Sequence, residues 1–329
     1  MLVIDAADVR RALPMADAIE AMKGAFAALS SGRAVVPERI HLAVEPHDGV
    51  SLVMPAFVDD AEGQALAVKV VSLFDHNAER GLARIQAAVL VLEADTGRPI
   101  ALLEGATLTA IRTGAASGAA TDLMARPDSR TAAILGAGVQ ARTQLEAVCT
   151  VRAIETVWVY DPAADAVEAF IDEMAGRGPV PADVRPAADA REAVADADVV
   201  CAATTSATPV FSDADLKAGA HVNAVGSYQP HVQEVPPETV VRARVVVDSR
   251  NAALAETGDL IQPIRAGLIT ADHIQAELGE LVLGRAKGRA SAEEITLFKA
   301  VGVAVQDAVA ARTALARAEQ SGLGQQVRW

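Results

Sequence analysis

Thr131-Ala132-Ala133-Ile134-Leu135-Gly136-Ala137-Gly138-Val139-Gln140-Ala141 is a short apolar run that breaks at two glycines and continues into a helical pattern, Val139–Val148. A strand that turns through G-x-G-x-x-A into a helix brings backbone N–H groups up to a phosphate. Gly136 makes the tight turn, Gly138 leaves the backbone bare for a pyrophosphate, and Ala141 lets helix and strand pack closely. Val139 and Gln140 fill the first helical turn, at the positive end of the helix dipole. A second strand, Thr156–Tyr160, follows and ends on Asp161, about 25 residues past Gly136. A carboxylate there accepts from the adenosine hydroxyls and repels a 2′-phosphate, so NAD(H) is favoured, with NADP(H) left open as the alternative. Asp161-Pro162 equally suits a turn that caps the next helix without any ligand.

The pattern downstream is a regular alternation. A helix over Ala164–Ala175, a short helix over Ala190–Ala195, a strand over Val199–Ala203, a helix start at Asp213–Leu216, and strands at Val222–Val225 and Val245–Asp248 succeed one another. Strands joined by crossover helices imply a parallel sheet of the doubly wound, Rossmann type. Upstream the texture differs. Ala16–Leu29 has apolar residues at helical spacing, then Val50–Pro55, Leu66–Leu73 and Ala87–Leu92 are apolar runs at hairpin-length spacing. A second, α+β domain with a mixed or antiparallel sheet follows from this, so the fold class is α/β with an added α+β domain. Thr107–Met124 reads as one long helix rich in Ala, Gly, Ser and Thr, which permits close backbone approach. An Ala-rich helix over Ala292–Gln320 is too long to cover a sheet and is expected to return to the N-terminal domain. That divides the chain into a discontinuous substrate and dimerisation domain, 1–112 plus 292–329, and a dinucleotide domain, 113–291.

The chain has 329 residues, half of them apolar, enough for two cores. Its formal charge of −14 excludes nucleic acid as a partner, since phosphates need a basic stripe. Cys149 and Cys201 stand in apolar surroundings and the six histidines have no ligand spacing, so neither a disulfide framework nor a metal site is expected. The N-terminus is acidic where a signal peptide is basic, and no apolar stretch has membrane-spanning length. A cytoplasmic protein with no membrane partner is expected.

Several further stretches carry a resemblance. These are Arg39-Ile40-His41, Met54-Pro55, Lys69-Val70, Asn77 with Gly81-Leu82, Asp95-Thr96-Gly97-Arg98-Pro99, Leu108-Thr109-Ala110-Ile111-Arg112-Thr113, the glycine turn with Arg142, and Val225-Gly226-Ser227 with Pro230 and Glu234. With them the whole chain resembles the ornithine cyclodeaminase/mu-crystallin family, which also contains alanine dehydrogenases and cyclic-ketimine reductases. The resemblance implies a homodimer paired through the split N-terminal domain, and a small carboxylate-bearing imino or amino acid as substrate. It places Arg39, Lys69 and Arg112 at the carboxylate-binding and catalytic positions. Three cations gathered in an acidic protein make physical sense as a carboxylate site, and a lysine in an apolar strand loses pKa readily and can deliver a proton. Thr113 is expected to meet the cofactor phosphates at the helix start. The Ala203-Thr204-Thr205 turn is expected near the nicotinamide ribose, Val225 and Gly226 among the cofactor-binding residues, and Met54, Ser227 and Tyr228 in the substrate loop.

Two departures from the family matter. Ornithine cyclodeaminases carry an acid in the loop after Val225-Gly226, to hold the amino group of a substrate that must first be oxidised. Tyr228 stands there instead. A preformed imine needs no such acceptor, so reduction of a cyclic imino acid of the Δ1-pyrroline-2-carboxylate or Δ1-piperideine-2-carboxylate kind is the expected activity. Cyclodeaminase or alanine-type dehydrogenase activity is the alternative, and mu-crystallin-like binding of a small molecule is the alternative of another class. Arg84 replaces a small hydroxyl residue and suits either a second carboxylate or solvent. His41 is expected to pack in its strand, and His231 lies in the substrate loop as a turn histidine or a proton-tuning one.

Overall fold

The computed structural model describes residues 1–328, and all of their side chains but that of Ala78. The chain divides into two compact units, Met1–Arg112 with Val303–Trp329, and Thr113–Gly302. The first unit begins with β1 (Leu2–Ile4), α1 (Ala6–Ala12), α2 (Met15–Ser30), β2 (Ala34–Val35), β3 (Ile40–Val44), β4 (Gly49–Asp60), β5 (Gly63–Phe74), β6 (Ile85–Leu92) and β7 (Pro99–Glu104). Strand periodicity sorts its side chains. Leu52, Met54, Ala56 and Val58 of β4 are buried on one face, and Ala65, Ala67, Lys69 and Val71 of β5 continue that face. Pro55 is tolerated because β3 pairs with β4 only up to Val53 and β2 only from Phe57, leaving a gap in the ladder where no proline N–H is missed.

The chain leaves this unit along α3 (Gly105–Met124) and builds the second with β8 (Thr131–Leu135), α4 (Val139–Val151), β9 (Thr156–Tyr160), α5 (Ala164–Met174), β10 (Val184–Pro186), α6 (Ala190–Val194), β11 (Val199–Ala202) and β12 (His221–Ala224). It continues through α7 (Pro237–Arg242), β13 (Arg244–Val247), α8 (Arg250–Glu256), α9 (Gly258–Arg265), β14 (Ile274–Glu277), α10 (Leu278–Val282) and β15 (Thr296–Lys299). The eight strands β8 to β15 form one parallel sheet in the order β10-β9-β8-β11-β12-β15-β13-β14. The order reverses between β8 and β11, and ligands of such sheets bind beyond the strand ends at that reversal.

Two sequence expectations are corrected here. Asp213–Leu216 starts no helix beyond the single 3-10 turn Asp213–Asp215. The segment from Ala292 is not one helix: Thr296–Lys299 is β15, wholly buried between β12 and β13, and the helix starts only at Ala304. Ile295, Thr296 and Phe298 are strand formers buried in the sheet, and the turn after Lys299 is pinned by Asp248 Oδ2, which accepts from the Val301 and Gly302 amides at 2.9 and 2.7 Å. Compactness accordingly returns the chain to the first unit at Val303, not at Ala292.

There α11 (Ala304–Ser321) and β16 (Gln325–Gln326) complete the first unit. Its sheet runs β16-β1-β7-β6-β5-β4-β2, with β3 also on β4, and is antiparallel except where β1 lies parallel to β7. α11 packs on α2 and on the inner face of β4 and β5, and every residue from Ala304 to Ala311 is buried. The opposite face is unevenly covered: Ile40, Leu42 and Val70 are 62, 61 and 43 % exposed. His41 does not pack in its strand as expected, because β3 is an edge strand exposed along nearly its whole length. Among the described residues no helix is long and apolar enough to cross a membrane.

Candidate active site

Lys69 occupies a position on β5 that alternation assigns to a core residue. It is 2 % exposed, with Met54 opposite it on β4 and Val89 on β6. A buried ammonium needs a partner, and Asp307 on α11 supplies it: Nζ lies 2.7 Å from Oδ2. The other oxygen of Asp307 accepts from Arg112 Nε at 3.1 Å, and Arg112 Nη1 donates to Gln306 Oε1, also at 3.1 Å. Gln306 is itself fixed, because the same Oε1 accepts from the Val303 amide at the start of α11. Strand, outgoing helix and returning helix of the first unit thus converge on one buried cluster of two cations and one anion. Burial pushes the Lys69 ammonium down to about 8, with Arg112 and Arg39 acting in the same direction and Asp307 opposing them. Burial alone would raise the Asp307 carboxyl, but the charges and hydrogen bonds of Lys69 and Arg112 outweigh it and hold the group below its ordinary range. Arg39, half-buried in the loop before β3, lies within electrostatic reach of Lys69. The structure therefore brings the three sequence-nominated cations together and adds Asp307, which sequence reasoning missed.

The second unit carries the glycine turn. Gly136 has φ +95°, a conformation that suits glycine, and a Cβ there would stand 2.7 Å from the Ala203 carbonyl oxygen. Its amide donates to the Tyr160 carbonyl at 2.8 Å. Gly138 caps α4, with no side chain accepting from the first turn, and open space lies where its Cβ would be. Val139 is 64 % exposed, Ala141 is fully buried, and Gln140 Oε1 is buried without a hydrogen-bond partner among the described residues. An uncapped, exposed helix start beyond the β8 end is a fit for a dinucleotide's pyrophosphate. Asp161 closes the turn: Oδ2 accepts from the Ala137 amide and Oδ1 from the Ala163 amide, both at 2.9 Å. Its carboxylate holds the glycine loop and the start of the next turn together, as the ligand-free reading of Asp161-Pro162 requires, and still has lone pairs for hydroxyl donors.

The profile of the ornithine cyclodeaminase/mu-crystallin family matches residues 1–322. The chain belongs to this family. It is 41 % identical over 328 residues to a Delta(1)-pyrroline-2-carboxylate reductase of Bacillus cereus, covering 99 % of each chain. Among solved structures it is similar to Thermococcus litoralis Delta(1)-pyrroline-2-carboxylate reductase in complex with NADH and L-proline, at a TM-score of 0.95 and 44 % identity over 99 % of this chain and 100 % of that one. An archaeal alanine dehydrogenase dimer with bound NAD superposes at a TM-score of 0.92, with 30 % identity over 100 and 99 % of the two chains.

The remaining family markers fall into place unevenly. Met54 is not in a loop: it is a buried β4 residue directly across from Lys69 in the β4–β5 register. Thr113 sits inside α3, not at a helix start, with its carbonyl accepting from Gln144 Nε2 of α4 at 3.3 Å. Thr204 and Gly226, at the ends of β11 and β12, are tied to one another through Glu234, and Val225 beside them is half-buried. Ser227 faces inward, its hydroxyl donating to the Val232 carbonyl at 2.6 Å, so it shapes the loop from within. Tyr228, next in that loop, is half-buried and His231 is exposed. Arg84 Nε pairs with Asp75 at 2.6 Å on the surface, so the chain itself supplies a carboxylate to it. Both cysteines are free and buried, and burial pushes each thiol up to about 12, as core residues behave. Among the described residues no group of three or more His, Cys, Asp or Glu could hold a metal ion.

Proposed function

We propose that this chain reduces a cyclic imino acid of the Δ1-pyrroline-2-carboxylate type to the amino acid, using NADH. The observation that carries the reading is the buried Lys69–Asp307–Arg112 cluster with Arg39 beside it, in a chain 41–44 % identical over its length to Delta(1)-pyrroline-2-carboxylate reductases. Arg112 has Nε and Nη1 engaged by Asp307 and Gln306, which fixes the guanidinium plane and leaves Nη2 for a substrate carboxylate; Arg39 supplies the second cation. Lys69, depressed to about 8 and held at 2.7 Å by Asp307, carries a proton at neutral pH and releases it more readily than a surface lysine. It delivers that proton to the imine nitrogen, directly or through a water, which raises the electrophilicity of the adjacent carbon. Gly136, Gly138, the first turn of α4 and Asp161 would hold the dinucleotide, which when bound would supply the hydride. Asp161 at the end of β9 favours NADH over NADPH. Tyr228 offers no carboxylate for a substrate amine, which disfavours the oxidative first step of a cyclodeaminase.

The exposed apolar face around Ile40, Leu42 and Val70 is the surface through which two copies pair. A dimeric relative supports this. The test of the activity is NADH oxidation by the purified protein across cyclic and acyclic imino acids, with L-ornithine and NAD⁺ run in parallel. Turnover of a five- or six-membered cyclic imine, with no proline or ammonia from ornithine, is expected. Efficient ornithine cyclodeamination, or no turnover of any imine, overturns the reading.

A further inference from the structure

The second unit buries three charged side chains that the reaction above does not use. Glu234, Asp259 and Lys299 are each 0 % exposed. Lys299 Nζ lies 2.8 Å from Asp259 Oδ2, and Asp259 Oδ1 accepts from the amides of Glu234 and Val235 at 2.6 and 2.9 Å. Glu234 is thereby gripped at its backbone while its carboxylate points to the ends of β11 and β12. Oε1 accepts from the Thr204 amide at 2.7 Å and from the Thr204 hydroxyl at 2.8 Å; Oε2 accepts from the Gly226 amide at 2.8 Å. The two turns are in close contact, since a Cβ on Gly226 would lie 2.3 Å from the Thr204 carbonyl oxygen. One carboxylate therefore staples two strand-end turns, those after β11 and β12, the first of which packs against Gly136 of the glycine loop.

Every partner of that carboxylate is a donor, so it acts as an acceptor on both oxygens. Burial pushes the Glu234 carboxyl above its ordinary range and Asp259 adds to the rise, while the Lys299 charge and the hydrogen bonds from Thr204 oppose it and favour the carboxylate. A site that only needed filling would be served by a neutral or apolar group. The double acceptor geometry is what a carboxylate supplies and what an amide cannot, because Gln would turn an N–H₂ toward the Gly226 amide or toward Thr204.

We infer that Glu234 is a positioning residue for the nicotinamide-riboside half of the dinucleotide, acting by holding the Thr204 and Gly226 turns in register. The inference rests on the dinucleotide reading above. The adenosine and pyrophosphate half has its own hydrogen bonds at Gly136 and Asp161, made to the ends of β8 and β9 and not to Glu234, although Gly136 packs against the Ala203–Thr204 turn. The two halves of the cofactor are therefore separable by experiment.

The experiment is a binding titration of NADH and of ADP, which lacks the nicotinamide riboside, to the unmodified protein, to Glu234→Gln and to Thr204→Val. Thr204→Val removes one donor to Oε1 and leaves the carboxylate in place, so it reads the same link if Glu234→Gln fails to fold. Loss of a hydrogen bond to a charged group predicts about a tenfold rise in the NADH Kd, with the ADP Kd changed less than about twofold. Equal weakening of NADH and ADP marks a merely structural role and overturns this inference alone, as does unchanged NADH binding in both variants. Failure of the unmodified protein to bind either ligand overturns the dinucleotide reading, and the inference with it.

Discussion

Lys69 shows how one substitution in a strand pattern sets chemistry. The residues two before and two after it, Ala67 and Val71, are core residues, and Lys69 shares their face. Its ammonium, pushed down to about 8, loses its proton as pH rises through that value, where an unperturbed lysine would keep it to about 10.4. If Lys69 is the proton donor, kcat/KM for imine reduction falls above pH about 8. Asp307 is the partner that raises this pKa, so Asp307→Asn moves the falling limb to lower pH; a pH–rate series on both proteins reads the shift, and an unmoved limb counts against the pairing. Lys69, Arg112 and Arg39 were legible from their place in family motifs. Asp307 was not, since an Asp in an Ala-rich helix reads as a solvated charge. The available signal was Gln306-Asp307 set between Val305 and Ala308-Val309, two polar residues in a stretch apolar on all sides.

At the scale of elements, α3 was readable because its composition states its task. A Cβ on Gly114 would lie 2.4 Å from the carbonyl oxygen of Thr143 on α4, so the two helix backbones nearly touch there. Helix propensity favours Gly114→Ala by about 1 kcal/mol. The steric clash predicts the reverse, a net loss of about 1–3 kcal/mol from overpacking. Urea unfolding distinguishes the two, and a stabilised variant would show that α3 and α4 stand farther apart. The strands of the β8–β9 half were legible because each apolar run was followed by a helix signal. β14 and β15 were not: Gln275 and Glu277 break the apolar run of β14, and β15 enters the sheet between two strands earlier in sequence. Nothing local marks a strand whose partners lie tens of residues away, and the alanines that follow pull the reading toward helix.

For the whole molecule, the acidic balance fits a protein whose anionic ligands are met only at local cationic points. The exposed apolar face of the first unit predicts a dimer in sedimentation at micromolar concentration. Leu42→Asp, placing a charge on that face, should shift it toward monomer, and a monomeric unmodified protein would leave the face unexplained. In the proposed function the two units divide the labour: proton delivery by the Lys69 cluster in the first, dinucleotide binding by the glycine turn in the second. The most direct measurement compares turnover of Δ1-pyrroline-2-carboxylate with NADH binding in the unmodified protein, Lys69→Ala and Lys69→Arg. Arg keeps the positive charge but releases no proton in the working pH range. The account predicts a kcat loss of about a hundredfold or more in both variants, with the NADH Kd within about twofold of the unmodified value. Full imine reductase activity in Lys69→Ala would contradict it.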